Sequence, residues 1–356
     1  MKHLIALVSL LLVAEAPATP ADAQRIQKSW EAAMATWAAQ ARAATTPEAR
    51  DQAVAKRPDP ASFAREMWQS IGTSLDQNWT LPPAAWFLMT TRGLVTKDAD
   101  GSTKPTFATE INAIRKAVET HHLKSPNLIP MCMALATIGD PRALSTLEKI
   151  EAGHPDKKTQ GVAALGAAMI LKTLGDNPEL ARKRLTYLRK AIIESSDVEL
   201  GNTTVAKLAE DELYQIRFLA KGRVAPDLVG VDAAGRPLKL SDFEGKVVVL
   251  VFWSSTIPEA DRVVEITAEM VKKFHGRPLV VLGVNHDPLE KLRSMEADGT
   301  VTWRNFSDPQ NKLGAEYRVG FWPTVYVLDG ERKIHYVGTQ GTFAELTAEA
   351  LLPEGN

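Results

Sequence analysis

The chain has 356 residues, of which 45% are hydrophobic and 24% are charged, a composition typical of globular protein and long enough for about two domains. Lys and Arg number 42 and Asp and Glu number 43, so the net charge is −1. This balance excludes the large basic excess that would attract nucleic acid or an anionic membrane, and we expect neither as a partner.

The amino-terminal residues have the pattern of a secretory signal peptide. A basic start precedes an apolar run from Leu4 to Val13, and small residues follow at Ala21 and Ala23. We predict a signal peptide over residues 1–23, with cleavage after Ala23. The apolar run is shorter than the ~20 residues needed to span a bilayer, no later run reaches that length, and no nearby cysteine could carry a lipid. The sequence therefore predicts an exported protein, periplasmic or secreted, with no membrane anchor.

Residues 24–220 are predicted to form an α-helical domain. Apolar residues recur there at three- and four-residue spacing, and strand-like runs are few. Prolines are predicted to mark helix boundaries because proline disrupts a helix interior. They are Pro58, Pro60, Pro82, Pro83, Pro105, Pro126, Pro141, Pro155 and Pro178.

A weak internal repeat lies within this region. Met133–Asp140 aligns with Met169–Asp176, and a proline follows closely each time. The period suits helical hairpins, so we predict HEAT-like repeats over about 107–194. Such a solenoid could hold a partner on its concave face, or it could only shield and position the neighbouring domain.

Two polar motifs in the helical region are not interpreted as metal sites. Asp98–Ser102 resembles the start of a calcium loop, but its glycine is misplaced and a polar turn suffices. His121 and His122 stand side by side without further ligands, which favours an exposed helix end. We predict no metal and no cofactor.

Cys132 is the single cysteine of the chain, and apolar residues flank it on both sides. We therefore expect a buried side chain that acts as a small hydrophobic residue rather than as a reactive thiol.

Residues 221–356 are predicted to form an α/β domain, a central mixed sheet flanked by helices. From Val224 onward strand-like runs alternate with helical patterns. Leu228–Leu240 predicts an opening hairpin, and Val247–Phe252 and Leu279–Val284 predict buried strands. Between these two strands Val263, Ile266, Met270 and Phe274 form the apolar stripe of a helix that packs on a sheet.

The segment from Val247 to Ala260 resembles the strand, active turn and helix of the TlpA and redoxin (AhpC/TSA-like) family of thioredoxin-like proteins. The resemblance covers about residues 222–352. It implies a thioredoxin-like fold in which Trp253, Thr256, Ile257, Pro258, Glu259 and Ala260 form the active-site turn, with Ile257 and Ala260 at the two cysteine positions. The peroxidatic cysteine of a peroxiredoxin would also fall on Ile257.

This turn lacks the atoms of the family's chemistry, because thiol-disulfide exchange requires a thiolate. Thr256 and Glu259 instead have the spacing of a helix capping box. A hydroxyl nucleophile at Ser254, Ser255 or Thr256 would need a positioned base, and no histidine follows in a recognisable motif. The sequence predicts no catalytic residue here.

The second part of the resemblance is Trp322-Pro323-Thr324, which matches the family's cis-proline turn. The resemblance implies a cis bond before Pro323 and exposed backbone groups that could pair with an extended peptide. Trp253, Ile257 and Trp322 are then expected around a shallow apolar patch, suited either to a peptide or to packing beneath the helical domain.

Two functions follow. The first is an exported, redox-inactive thioredoxin-like protein that binds or scaffolds an exported protein or peptide. The alternative is a thiol-disulfide oxidoreductase or a peroxiredoxin-type antioxidant protein, which would work through Cys132 or through a partner's thiols.

Overall fold

A computed structural model describes residues 19–353, apart from 44–48, 50–51, 54, 99, 176, 258–259 and 340. The chain forms two compact units, one ending at Ala206 and the other beginning at Lys207. Most of the predicted signal peptide lies outside the described residues, but Pro20–Ala23 form the first turn of the first helix. Cleavage after Ala23 stays a prediction, and it would remove that turn.

Helices make up most of the first unit. They are α1 (Pro20–Ala43), α2 (Pro60–Ile71), α3 (Leu81–Thr91), α4 (Ala108–Ala117), α5 (Ile129–Thr137), α6 (Ala143–Gly153), α7 (Lys157–Thr173) and α8 (Pro178–Ser195). No helix among the described residues is both long enough and apolar enough to cross a membrane.

Local sequence explains where several of these helices begin. The Asp59 carboxylate accepts hydrogen bonds from the first amides of α2, with proline at the first helical position. Asn177 caps α8 in the same way, again followed by proline, and Asp156 accepts from the Thr159 amide at the start of α7. The predicted proline boundaries at Pro60 and Pro178 are therefore confirmed.

The first unit is helix-rich, as predicted, and its described residues also include two short antiparallel strand pairs. β1 (Val95–Lys97) pairs with β2 (Thr103–Pro105), and β3 (Glu199–Leu200) pairs with β4 (Thr203–Thr204), both antiparallel. The strands β1 and β2 are exposed along their whole length. Their sequences therefore lack the buried apolar run from which a strand could be predicted. The polar segment from Asp98 to Ser102 is the turn that joins them.

The expectation for His122 was wrong, because the side chain is buried rather than exposed. Its Nε2 lies 2.7 Å from the carbonyl oxygen of Leu75, and its Nδ1 lies 3.1 Å from Asn78 Oδ1. These partners are distant in sequence, so the neighbouring residues gave no sign of them. His122 therefore has a structural role in holding two segments together.

The second unit is built on a five-stranded mixed sheet. Its elements are α9 (Val205–Tyr214), β5 (Val229–Val231), β6 (Pro237–Lys239), β7 (Val247–Trp253), α10 (Ala260–Lys273), β8 (Leu279–Asn285), α11 (Leu289–Ala297), β9 (Arg304–Ser307), α12 (Lys312–Glu316), β10 (Thr324–Leu328), β11 (Ile334–Gly338) and α13 (Gly341–Ala350). The strand order is β11-β10-β7-β8-β9. β7, β8 and β9 are parallel, and β10 is antiparallel to both of its neighbours.

The central strand β7 is buried along its entire length and contributes side chains to two hydrophobic cores. Alternate side chains point to opposite faces of a sheet, so Val249 and Val251 contribute to one core and Leu250 and Phe252 to the other. Met270 and other residues of the predicted α10 stripe cover the first face together with α11 and α13. The predicted hairpin, strands and helix stripe are confirmed.

Residues 207–219 belong to the unit that contains the sheet, whereas the sequence analysis assigned them to the helical domain. Leu219 is buried in the second core, and Tyr214 and Phe218 pack against it. The difference arises because this segment has helical periodicity, while its apolar side chains pack on the sheet.

Candidate functional site: a cysteine-free turn beside a cis proline

The candidate site lies where β7 ends and α10 begins. β7 and β8 are parallel and in register, with Trp253 opposite Asn285, so the residues that follow each strand meet at one edge of the sheet. Ser254 and Ser255 follow β7, and His286 and Asp287 follow β8. The sequence analysis missed the β8 residues, although polar side chains directly after a buried strand were a usable signal.

Asp287 is the centre of a hydrogen-bond network that holds the turn. Its Oδ1 accepts from Ser254 Oγ at 2.7 Å and from Ser255 Oγ at 3.1 Å. Its Oδ2 accepts from the Ser255 amide at 2.8 Å and from Asn285 Nδ2 at 2.8 Å. Ser254 Oγ in turn accepts from the Thr256 amide at 3.2 Å, and its distance to Thr256 Oγ1 is 2.8 Å.

Asp287 is 1% exposed, and burial by itself would raise the pKa of its carboxyl. The hydrogen bonds from the Ser255 amide, the Asn285 side chain and the two serine hydroxyls outweigh that effect and hold the pKa below its ordinary value of 3.8. Asp287 is therefore a carboxylate near neutral pH. The Ser254 hydroxyl donates to this carboxylate at 2.7 Å, but a carboxylate with a lowered pKa is a weak base for removing a hydroxyl proton near neutral pH.

The predicted cysteine positions carry no thiol. Ile257 is half-buried in the turn, and the amide of Ala260, at the start of α10, donates to the Ile257 carbonyl at 3.1 Å. Pro258 and Glu259 lie outside the described residues, and so does the capping box that Glu259 was predicted to complete. The described partner of the Thr256 amide is Ser254 Oγ.

The bond between Trp322 and Pro323 is cis, as predicted. Pro323 directly precedes β10, and Thr324 is opposite Phe252 of β7. The Thr324 hydroxyl donates to the Phe321 carbonyl at 2.6 Å, which closes the loop before the strand. The predicted peptide-binding residues are Trp322, Pro323 and Thr324. They lie together where β10 begins.

His286 stacks on Trp322 and orients it. Their ring centroids are 5.5 Å apart, with an angle of 27° between the ring planes. His286 Nδ1 lies 3.0 Å from the Asp308 carbonyl oxygen, so Nδ1 carries the proton and donates. Phe252 contacts the same tryptophan edge-on, with centroids 6.4 Å apart.

Trp253 does not belong to the predicted apolar patch, and that prediction was wrong. The side chain is fully buried, packs against Trp303 and donates from Nε1 to Asn305 Oδ1 at 2.9 Å. Strand alternation sends it to the α10 side of the sheet, beneath the helix. The exposed aromatic residue is instead Phe321, at 66% exposure, which the sequence analysis did not single out.

Cys132 lies in the first unit, in α5, and is completely buried as predicted. Burial raises the pKa of its thiol to about 12, so the reactive thiolate form is essentially absent at neutral pH.

A mixed sheet with a strand-to-helix turn and a neighbouring cis proline defines the carboxy-terminal unit as a thioredoxin-like domain. The AhpC/TSA family model matches residues 221–337. Through this carboxy-terminal domain, the chain belongs to the AhpC/TSA family of thioredoxin-like proteins.

The similar proteins include several named thiol-disulfide oxidoreductase ResA. That of Geobacillus kaustophilus is 30% identical over 124 residues, covering 34% of this chain and 71% of the relative. That of Geobacillus thermodenitrificans is 28% identical over 161 residues, which cover 45% of this chain and 90% of the relative. A solved thioredoxin domain of a thiol-disulfide oxidoreductase from Bacteroides vulgatus is 23% identical, covers 38% of this chain and 99% of its own, and superimposes with a TM-score of 0.35.

Proposed function

We propose that this protein is a redox-inactive member of its family that binds an extended segment of an exported polypeptide at the cis-proline turn. The observation that carries the proposal is the chemistry of the turn, where Ile257 and Ala260 stand at the two cysteine positions. Neither side chain can attack a disulfide at any pH. The relatives named thiol-disulfide oxidoreductases therefore share the fold and the turn with this chain, while the redox step is absent from its turn.

The remaining thiol does not restore that step. Cys132 is the single cysteine in the sequence, so it cannot form an intramolecular disulfide. Its side chain is fully buried and its pKa is raised to about 12, which leaves almost no thiolate to react. These observations favour a binding protein over an oxidoreductase that works through Cys132.

The backbone at the cis proline supports peptide binding. Within the part of the chain that the structure describes, neither the N–H nor the C=O of Trp322 takes part in a hydrogen bond. An extended peptide could use both groups by adding a short strand. The stacked His286 fixes the tryptophan ring beside these groups, and Phe321 offers apolar surface for a side chain of the peptide.

Export belongs to the same proposal and rests on the signal-peptide pattern over residues 1–23. Cell fractionation followed by amino-terminal sequencing tests it. A processed protein outside the cytoplasm is expected, and an unprocessed cytoplasmic protein would contradict it.

The binding experiment uses fluorescein-labelled, reduced and carboxymethylated α-lactalbumin, a permanently unfolded chain, followed by fluorescence anisotropy. We expect saturable binding that weakens roughly thirtyfold in Trp322→Ala, because a buried aromatic anchor typically contributes about 2 kcal/mol. The matched control is Trp79→Ala, a partly exposed tryptophan of the first unit. Absence of binding, or equal losses in both variants, would refute the peptide site.

Redox inactivity is tested separately by insulin reduction with dithiothreitol as the electron donor. The rate with the protein should equal the rate without it. Catalysis that disappears in Cys132→Ser would overturn the proposal in favour of the oxidoreductase alternative.

A further inference from the structure

A cavity of about 600 Å³ lies in the second unit, between α10, the loop before β10 and the start of α13. This volume is within the range of small-molecule binding sites. The cavity borders Trp322 and Pro323, but most of its wall comes from α10, α13 and the sheet. Phe321 also lines the cavity, which therefore adjoins the backbone groups proposed to hold a peptide.

The cavity has an apolar floor. Val251 and Val325 of the sheet and Met270 of α10 line it, and all three are buried. Val263 and Ile266, which are partly buried, extend the apolar wall along the same helix. An occupant with an aliphatic or aromatic body would cover this surface, and removing apolar surface from water favours binding.

The polar lining residues are Arg262, Thr267, Thr339 and Thr342. Arg262, Thr339 and Thr342 are exposed, which places a cation and two hydroxyls toward solvent. Within the described ranges, Arg262 forms no ion pair or hydrogen bond, and no carboxylate lines the cavity. Among the described lining residues, the charged side chain is therefore that of Arg262.

Thr267 places a further hydroxyl in the cavity. It is 2% exposed and lines the cavity, yet its hydroxyl forms no hydrogen bond among the described residues. A threonine inside a helix commonly donates to the carbonyl four residues earlier, as Thr347 does to Phe343 at 2.8 Å. The Thr267 hydroxyl is therefore available to a polar atom of a ligand in the cavity.

The geometry points to a binding site for a small amphipathic organic acid, with its carboxylate at Arg262 and its apolar body against the buried floor. The exposed guanidinium can form a bidentate hydrogen bond with a carboxylate, and Thr342, which is also exposed, lines the same cavity. This function goes beyond peptide binding and does not depend on it.

The experiment compares three probes that share one alkyl chain and differ in the head group: decanoate, 1-decanol and decylammonium. Isothermal titration calorimetry on the full-length protein should give one site that prefers decanoate. Arg262→Gln should weaken decanoate roughly tenfold and leave 1-decanol unchanged, because one charge-assisted contact is lost. Lys272→Gln, which removes an exposed charge of the same helix away from the cavity, is the control and should change neither.

Two variants test whether the probes bind in the cavity. Val263→Phe places a larger side chain at the apolar wall, and Thr342→Trp places one at the exposed mouth. The second variant is used if the first does not fold. Each folded variant should lose at least tenfold in affinity for all three probes. The proposal is overturned by no decanoate binding at about 5 mM, by equal affinity for the three head groups, or by binding that both blocking variants leave intact. A loss of decanoate binding in Arg262→Gln with unfolded-chain binding retained would separate the two sites.

Discussion

Replacing Asp287 with alanine should destabilise the second unit strongly, because that carboxylate is the shared acceptor of the turn. In Asp287→Ala the Ser255 amide and the Asn285 side-chain amide lose an acceptor at 2.8 Å each. A buried donor without an acceptor lowers the free energy of unfolding by about 1–3 kcal/mol, so two of them together lower it by about 4 kcal/mol. Relief from burying a charge offsets part of this, so we expect a net loss of about 3 kcal/mol.

Hydrogen exchange detected by mass spectrometry measures this loss in the peptide that contains β7, the strand leading into the turn. A loss of about 3 kcal/mol corresponds to roughly hundredfold faster exchange of its protected amides. The matched control is Asp298→Ala, an exposed aspartate whose carboxylate accepts from the Thr300 amide at 2.9 Å. If Asp287→Ala accelerates exchange no more than this control, the network does not stabilise the turn and the reasoning fails.

The same carboxylate should contribute to acid sensitivity. The pKa of Asp287 is lowered in the folded protein, so its stabilising effect is complete above the ordinary value of 3.8 and is lost as the pH falls through the lower folded value. Asp287→Asn should therefore lose less stability than the wild type on acidification below about pH 4. Parallel urea titrations across that range would show this, and identical acid dependence in the two proteins would contradict it.

Three further predictions concern the turn, the thiol and the sheet. The double variant Ile257→Cys with Ala260→Cys should gain insulin reductase activity over the wild type, and an inactive double variant with a verified fold would show that the turn no longer presents a dithiol. Native Cys132 should stay unlabelled by Ellman's reagent at pH 8 and react fully after unfolding in guanidinium, whereas rapid native labelling would show that it is accessible. Gly283→Ala should destabilise the protein by about 1–3 kcal/mol in urea unfolding, because the new Cβ would lie 1.7 Å from Asn305 Oδ1, and unchanged stability would contradict that packing.

Local patterns in the sequence were sufficient for much of the second unit. The short all-apolar run at β7, rich in β-branched valine, favours a buried strand, and the apolar stripe of α10 has the spacing of a helix on a sheet. The absence of cysteine from the turn and the presence of proline at residue 323 are properties of the sequence itself. Hence the missing thiols and the sheet elements followed from the sequence patterns, and the thioredoxin-like fold and the cis-proline turn followed from the resemblance to the TlpA and redoxin family.

Other features depend on residues that are far apart in the chain, and only the tertiary structure shows them. Parallel pairing of β7 with β8 places Asp287 against Ser254, and the alternation of β7 buries Trp253 while Phe321 remains exposed. The cavity beside Arg262 likewise requires α10, α13 and the sheet together. The physical reason is that periodicity and side-chain chemistry are local properties of a sequence, whereas hydrogen-bond partners, burial of a particular face and enclosed volume arise only when separate segments pack.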